Sequence, residues 1–342
     1  MKRIVQICLL ALLISSCRMN GGQGYSESKH SVYFWKTEFE LNTYEEIFLY
    51  QHDVERIYIK LFDVALRKDV DLNHVEIVPV ATTRFMDECR YGCEFVPTVF
   101  FTLEALKEMK GEEILYAEKV VKRILAMASY NELGKIHEVQ LDCDWTAGTF
   151  ESYEKFCHFV REYLHAKDIE LSITVRLHQV DDRKFPPADR GVLMLYNTGA
   201  FKSIETRNSI LDDEDAKPYL KKIRTPFPLD FAYPSFQWSL LFRNEEFVCI
   251  LTETDYSDED SFRKIDGNRY EALKNTTVKG VDVLKGDIIR LEASEMDQIL
   301  QVKKKISSIY DVSDSRTILY HLDSLNLSKF TEDEISEIYR AE

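Results

Sequence analysis

HEVQLDCDWT, residues 137–146, decides how this chain is read. Val139 and Leu141 alternate with Gln140 and Asp142, and the run closes on Cys143, Asp144 and Trp145. Apolar residues at a period of two mark a β-strand, whose i and i+2 side chains share a face with Cα atoms roughly 6.5–7 Å apart. Asp142 and Asp144 therefore look into one space, and the same alternation points Cys143 away from them. Two readings of the acids are open. They cap the helix that follows, or they are a catalytic pair.

The segments on either side repeat the pattern. Strand-like runs fall at 31–39, 56–64, 94–102, 139–145, 169–177, 191–197, 229–236 and 316–322. Between them lie helical patterns through Tyr50, over 112–133 and over 149–167, and a capping box from Thr331 to Glu334 opens a final helix. Thr149 opens its helix without the Glu a capping box needs. Eight such units predict an α/β fold, a (β/α)8 TIM-like barrel. Two segments break the repeat. Residues 74–85 read as an extra strand, and 237–315, with WSLLFRNEEFVCILTETD and a helix near 294–308, read as an inserted α+β subdomain between strands 7 and 8, or else as a separate C-terminal domain.

The chain has 342 residues, of which 45% are hydrophobic and 12% aromatic, so it can bury a large core. A net charge of −15 argues against nucleic acid as a partner. The sequence contains no Gly-rich phosphate loop, zinc-like Cys/His spacing or Gly-x-Ser-x-Gly elbow. MKRIVQICLLALLISSC, with Lys2 and Arg3 ahead of a short apolar run, has the layout of a secretory signal over residues 1–16. Ile14-Ser15-Ser16-Cys17 resembles a bacterial lipobox, which implies a Cys17 acylated (palmitate among its chains) and held at the cell envelope, with residues 17–30 as a tether. The barrel domain is then 31–342. Cys89 and Cys93 are close enough in sequence to pair in an oxidising compartment. Cys143, Cys157 and Cys249 read as small buried hydrophobes.

In a barrel of this kind the C-terminal strand ends build the ligand face. Those ends carry Lys36 and Glu38, Asp63, Thr102, Asp142 and Asp144, Arg176 and His178, Tyr196 and Asn197, Tyr233, and His321 with Asp323. In VQLDCDW and MLYN the chain resembles the family-18 glycoside hydrolases, the chitinase-like barrels. Their fourth strand carries alternating acids ending in a catalytic Glu, and their sixth carries Met-x-Tyr-Asp. The resemblance implies that Asp144 protonates the glycosidic oxygen, that Asp142 orients the substrate's acetamido group, and that Tyr196 holds it. Asp144 stands where that family has Glu, and Gln140 and Asn197 each stand where it has Asp. The layout over residues 31–325 is closer still to an uncharacterised family of bacterial glycosidase-like barrel proteins, which brings no established activity.

Two neighbouring carboxyls do not both ionise freely, so one stays protonated near neutral pH, as a glycosidic leaving group requires. Trp35, Trp145, Trp238 and Tyr233 offer flat faces for sugar rings. Gln140, Arg176, Glu38 and Asn197 join Tyr196 as expected substrate contacts. His178 and His321 are expected to be hydrogen-bonded structural residues. The acids and histidines lie on separate strands, so no metal and no cofactor are expected. Two functions follow: a glycoside hydrolase acting on an envelope glycan, or a carbohydrate-binding or scaffold lipoprotein that kept the barrel and lost the chemistry.

Overall fold

The computed structural model describes residues 29–69, 74–88, 91–180, 184–222, 224–251 and 255–340. Cys17 and Cys89 lie outside them, and with them the expected lipidation and the Cys89–Cys93 pairing. Eight parallel strands close into a barrel: β1 (His30–Phe34), β2 (Arg56–Asp69), β3 (Glu94–Phe101), β4 (Glu138–Cys143), β5 (Glu170–Arg176), β6 (Arg190–Met194), β7 (Leu229–Pro234) and β8 (Thr317–Tyr320). Each pairs with the next in sequence, and β1 closes the ring by pairing with both β8 and β2. The TIM-like (β/α)8 fold read from the sequence is the fold of the chain.

Among the described residues the helices are α1 (Thr43–Gln51), α2 (Leu103–Glu108), α3 (Glu113–Tyr130), α4 (Phe150–His165), α5 (Asp213–Ala216), α6 (Met296–Ile309), α7 (Ser324–Leu327) and α8 (Glu332–Tyr339). Thr331 and Glu334 form the capping box of α8, with bonds of 3.2 and 2.8 Å. Thr149, lacking its Glu, gives α4 no side-chain cap and instead accepts from the Thr146 amide at 2.9 Å.

Alternation of helix and strand is not strict. β2 runs on to Asp69 and folds back onto His74–Val80, so an antiparallel ribbon follows it where a helix would cross over. After β5, the described residues before β6 hold only the single turn Leu177–Val180. Between β7 and α6, strands Gln237–Arg243, Glu246–Leu251, Phe262–Asp266, Arg269–Ala272 and Ile288–Ala293 build an antiparallel sheet with its own apolar cluster around Leu241, Phe262 and Ile289.

Alternation sorts the barrel side chains into two cores. Val139, Leu141, Cys143, Leu193 and Phe231 face outward onto the helices, and Tyr33, Tyr58, Val192, Met194 and Ile318 fill the interior. At the N-terminal end the barrel is plugged by charge. Glu138 meets Arg316, and Arg190 reaches Asp230 at 2.9 Å. Burial pushes the Asp230 carboxyl up to about 6, against the pull of Arg316 and Arg190. That end is closed, so the C-terminal mouth is where a ligand has access.

Candidate functional site

Strand β4 sends Glu138, Gln140 and Asp142 inward in rising layers, and Asp144 follows at the rim. Gln140 is fully buried below the mouth, accepting from Tyr33 Oη at 2.8 Å and donating from Nε2 to Ser172 at 3.4 Å. Asp142 is 2% exposed, and its Oδ1 accepts from Thr174 Oγ1 at 2.6 Å and from Arg176 Nη2 at 3.2 Å. The Asp144 side chain is half exposed, and its carboxylate meets Arg176 Nε. Arg176 thus sits between both acids with the Met194 sulfur beside it.

The charges follow from this packing. Burial raises the Asp142 pKa, Asp144 adds to the rise, and Arg176 and Thr174 oppose it. Burial alone would lower the pKa of Arg176, but the two carboxylates outweigh it and drive it up.

Above Asp142 lies a cavity of about 210 Å³. Trp35, Phe100, Met194, Tyr196 and Tyr320 give it apolar and aromatic walls, and Asp63, Asp142, Arg176 and Asn197 give it polar ones. Tyr196 is 4% exposed and stacks on Tyr320 with ring centroids 4.9 Å apart. Its hydroxyl is buried without a hydrogen-bond partner, which is unusual for a group that costs about 1–3 kcal/mol to leave unsatisfied. Burial also raises its pKa, with Arg176 pulling the other way. Asn197 sits at φ +55°, a left-handed conformation that asparagine tolerates, and its amide donates to Ile210 O at 2.7 Å.

Asn197 and Tyr320 also border a second cavity of about 680 Å³ between the barrel mouth and the inserted sheet. Trp238 lines it and is fixed by donating from Nε1 to Glu292 at 2.6 Å. His321 also lines it; burial lowers its pKa, and its Nδ1 has no hydrogen-bond partner. Lys36 bridges Glu45 and Asp323, 3.0 Å from each.

The structure brings Asp142, Arg176, Tyr196 and Asn197 together on one cavity, with Asp144 at its edge. Four expected contacts lie elsewhere. Gln140 belongs to the interior below. Trp145 is 2% exposed and stacks on Tyr153 of α4, 5.4 Å between centroids, because the alternation that turns Cys143 outward turns Trp145 outward too. Tyr233 faces the outer core for the same reason, with its neighbour Ala232 taking the interior position. Glu38 stands in the two-residue strand Glu38–Phe39, paired with Arg84–Phe85, where it is exposed and held by Arg84. Thr102, read as a rim group, caps α2 by accepting from the Ala105 amide at 3.2 Å. His178 is exposed on its turn rather than bonded into the core. Phe100 and Tyr320 escaped the sequence reading, although inward parity on β3 and β8 selects both.

Among the described residues no cluster of three or more His, Cys, Asp or Glu is placed to hold a metal, and no helix is long and apolar enough to cross a membrane.

No family model and no characterised protein sequence matches the chain. Solved structures do. A chitinase from Chromobacterium violaceum is similar at a TM-score of 0.53 and 11% identity, over 91% of this chain and 97% of that one. The class V chitinase of Nicotiana tobaccum is similar at 0.51 and 10%, over 91% and 99%. The spore cortex-lytic enzyme SleL of Bacillus cereus is similar at 0.50 and 10%, over 91% of this chain and 73% of its own. At such identities the likeness is one of fold.

Proposed function

We propose that the protein is a glycoside hydrolase that binds an oligosaccharide across the two cavities and cleaves it above Asp142. The observation that carries this reading is the pairing, in one cavity, of a buried carboxyl of raised pKa with an orphaned tyrosine hydroxyl. Both donors to Asp142 converge on Oδ1, which leaves Oδ2 to carry a proton toward a glycosidic oxygen. Tyr196 Oη then finds in a sugar the partner that the protein does not supply. Tyr320 and Trp35 offer ring faces near the reacting sugar, and Trp238 offers one farther along.

The proton donor in this reading is Asp142 rather than Asp144. Asp144 is bound to Arg176 at the rim, outside the cavity wall, and its side chain is one methylene shorter than Glu. Asp144 raises the Asp142 pKa, and Arg176 limits the rise. The same Arg176 contacts favour a second reading, in which the barrel binds carbohydrate without cleaving it.

Related solved structures hold the N-acetylglucosamine tetramer and pentamer. These two oligosaccharides head a glycan screen with two readouts, reducing-end release and binding by calorimetry. Release supports the hydrolase, binding without release selects the second reading, and neither rejects both.

We also place the protein on the bacterial cell envelope through an acylated Cys17, on the strength of the Ile14-Ser15-Ser16-Cys17 sequence. A Cys17→Ala protein is expected to leave the detergent phase on partitioning. Unchanged partitioning would reject the anchor.

A further inference from the structure

We propose that Asp63 is the second carboxyl group of the reaction, the base that takes a proton from the attacking water, so that cleavage inverts the anomeric centre. This rests on the hydrolase reading above.

Asp63 reaches the cavity because β2 is irregular. The register to β3 slips between Lys60 and Phe62, pairing Lys60 with Thr98 and Phe62 with Val99. Leu61 and Phe62 consequently both face the outer core, and inward parity passes from Lys60 to Asp63. Without that extra residue Phe62 would point inward and Asp63 outward. Bulges of this kind re-aim side chains and recur beside active sites.

The register then lines up the carboxyls. Asp63 pairs with Phe100, and Phe100 pairs with Asp142. Two strand spacings of about 4.8 Å put their Cα atoms about 9–10 Å apart. Both side chains line the same 210 Å³ cavity, so the two carboxyls face one space across about that span. Inverting enzymes keep theirs roughly 6.5–9.5 Å apart, to admit a water, whereas retaining ones hold roughly 5–5.5 Å. The cavity equals about seven water volumes, room for one sugar ring with a water beside it.

The surroundings suit a base. Lys60, itself buried, holds its Nζ 3.3 Å from Asp63 Oδ1 and 5.8 Å from the centre of the Trp35 ring. Burial strengthens Asp63 as a base by raising its pKa, while Lys60 favours the ionised form. In the step, Asp142 gives its proton to the glycosidic oxygen as the bond to the anomeric carbon breaks. Water bonds to that carbon from the opposite face and gives its proton to Asp63. Exchange with solvent returns both groups to their starting states.

The test uses the intact protein and the N-acetylglucosamine tetramer and pentamer, with proton NMR following the anomer first released. Inversion is the expected result. Asp63→Asn is expected to lose about 10²–10⁴ in turnover. Azide is expected to rescue Asp63→Ala and form a glycosyl azide of inverted configuration. Release with retention overturns the inference while leaving the hydrolase reading intact, and points to attack by the substrate's own acetamido group. Full turnover by Asp63→Asn also overturns it. If the wild type releases nothing from any glycan in the screen, both fall together. The anomer is read on the wild type, so the test does not depend on a variant folding.

Discussion

Asp142→Asn is expected to lower kcat on the cleaved oligosaccharide by about 10²–10⁴ and to change KM little. Asparagine has the shape of aspartate and keeps an oxygen for the Thr174 and Arg176 bonds, so the cavity wall survives. What it lacks is a carboxyl proton to give the leaving oxygen. Asp144→Asn is expected to cost less than about tenfold, because that side chain acts through the charge around Asp142. The rate–pH profile separates the two roles. A general acid works while protonated, so turnover falls as pH rises through the Asp142 pKa, which burial sets above the ordinary aspartate value. Removing the Asp144 charge moves that limb to lower pH. Arg176→Gln moves it to higher pH, because the guanidinium favours ionised Asp142. If Asp144→Asn abolishes turnover and Asp142→Asn does not, the acid is Asp144.

The barrel was legible because parallel strands joined by crossovers leave a periodic trace. Val139-Gln140-Leu141-Asp142 shows which side of β4 faces the barrel interior, and the acids fall where the parity puts them. The same parity, applied past Cys143, places Trp145 in the outer core, and applied to β7 it does the same for Tyr233. An aromatic residue beside an acid is no evidence of a sugar platform until its face is assigned. Glu38 misled for a different reason. The strand-like run from Ser31 to Phe39 contains two strands, and β1 ends at Phe34. The bulge in β2 was not legible, because an extra residue changes the parity of everything after it and RIYIKLFDV contains no glycine or proline to mark it. Convergence lies beyond the reach of sequence as well. Asp63 and Asp142 stand on β2 and β4 and Tyr196 lies two residues past the end of β6, and only closure of the barrel brings them to one cavity.

The largest stability effect is expected at the joint between barrel and inserted sheet, where Glu292→Ala should lower stability by about 3–5 kcal/mol. Arg290 and Glu292 are at most 1% exposed and bonded Nε to Oε1 at 2.7 Å. Arg290 also donates to the carbonyls of Ser203 at 2.6 Å, Ile204 at 3.3 Å and Phe201 at 3.0 Å, all on the loop after β6. Glu292 Oε2 takes the Ser209 hydroxyl at 2.5 Å and the Trp238 indole at 2.6 Å. Every charged atom is answered, so the network is stable as a set and fragile in parts. Alanine at 292 leaves a guanidinium in a dry interior with three donor–carbonyl bonds and no counter-charge. It also frees Trp238 from its fixed orientation over the larger cavity. Thermal melting should fall by on the order of ten degrees, since each kcal/mol moves the midpoint of a large domain by about 2–4 °C. Arg290→Met combined with Glu292→Leu should recover much of that loss, because an apolar pair leaves no charge unanswered. The double variant still lacks the acceptor for Trp238, so it should regain melting temperature without regaining affinity for the oligosaccharide. A Glu292→Ala protein that melts within a degree of wild type would show that the joint does not depend on this network.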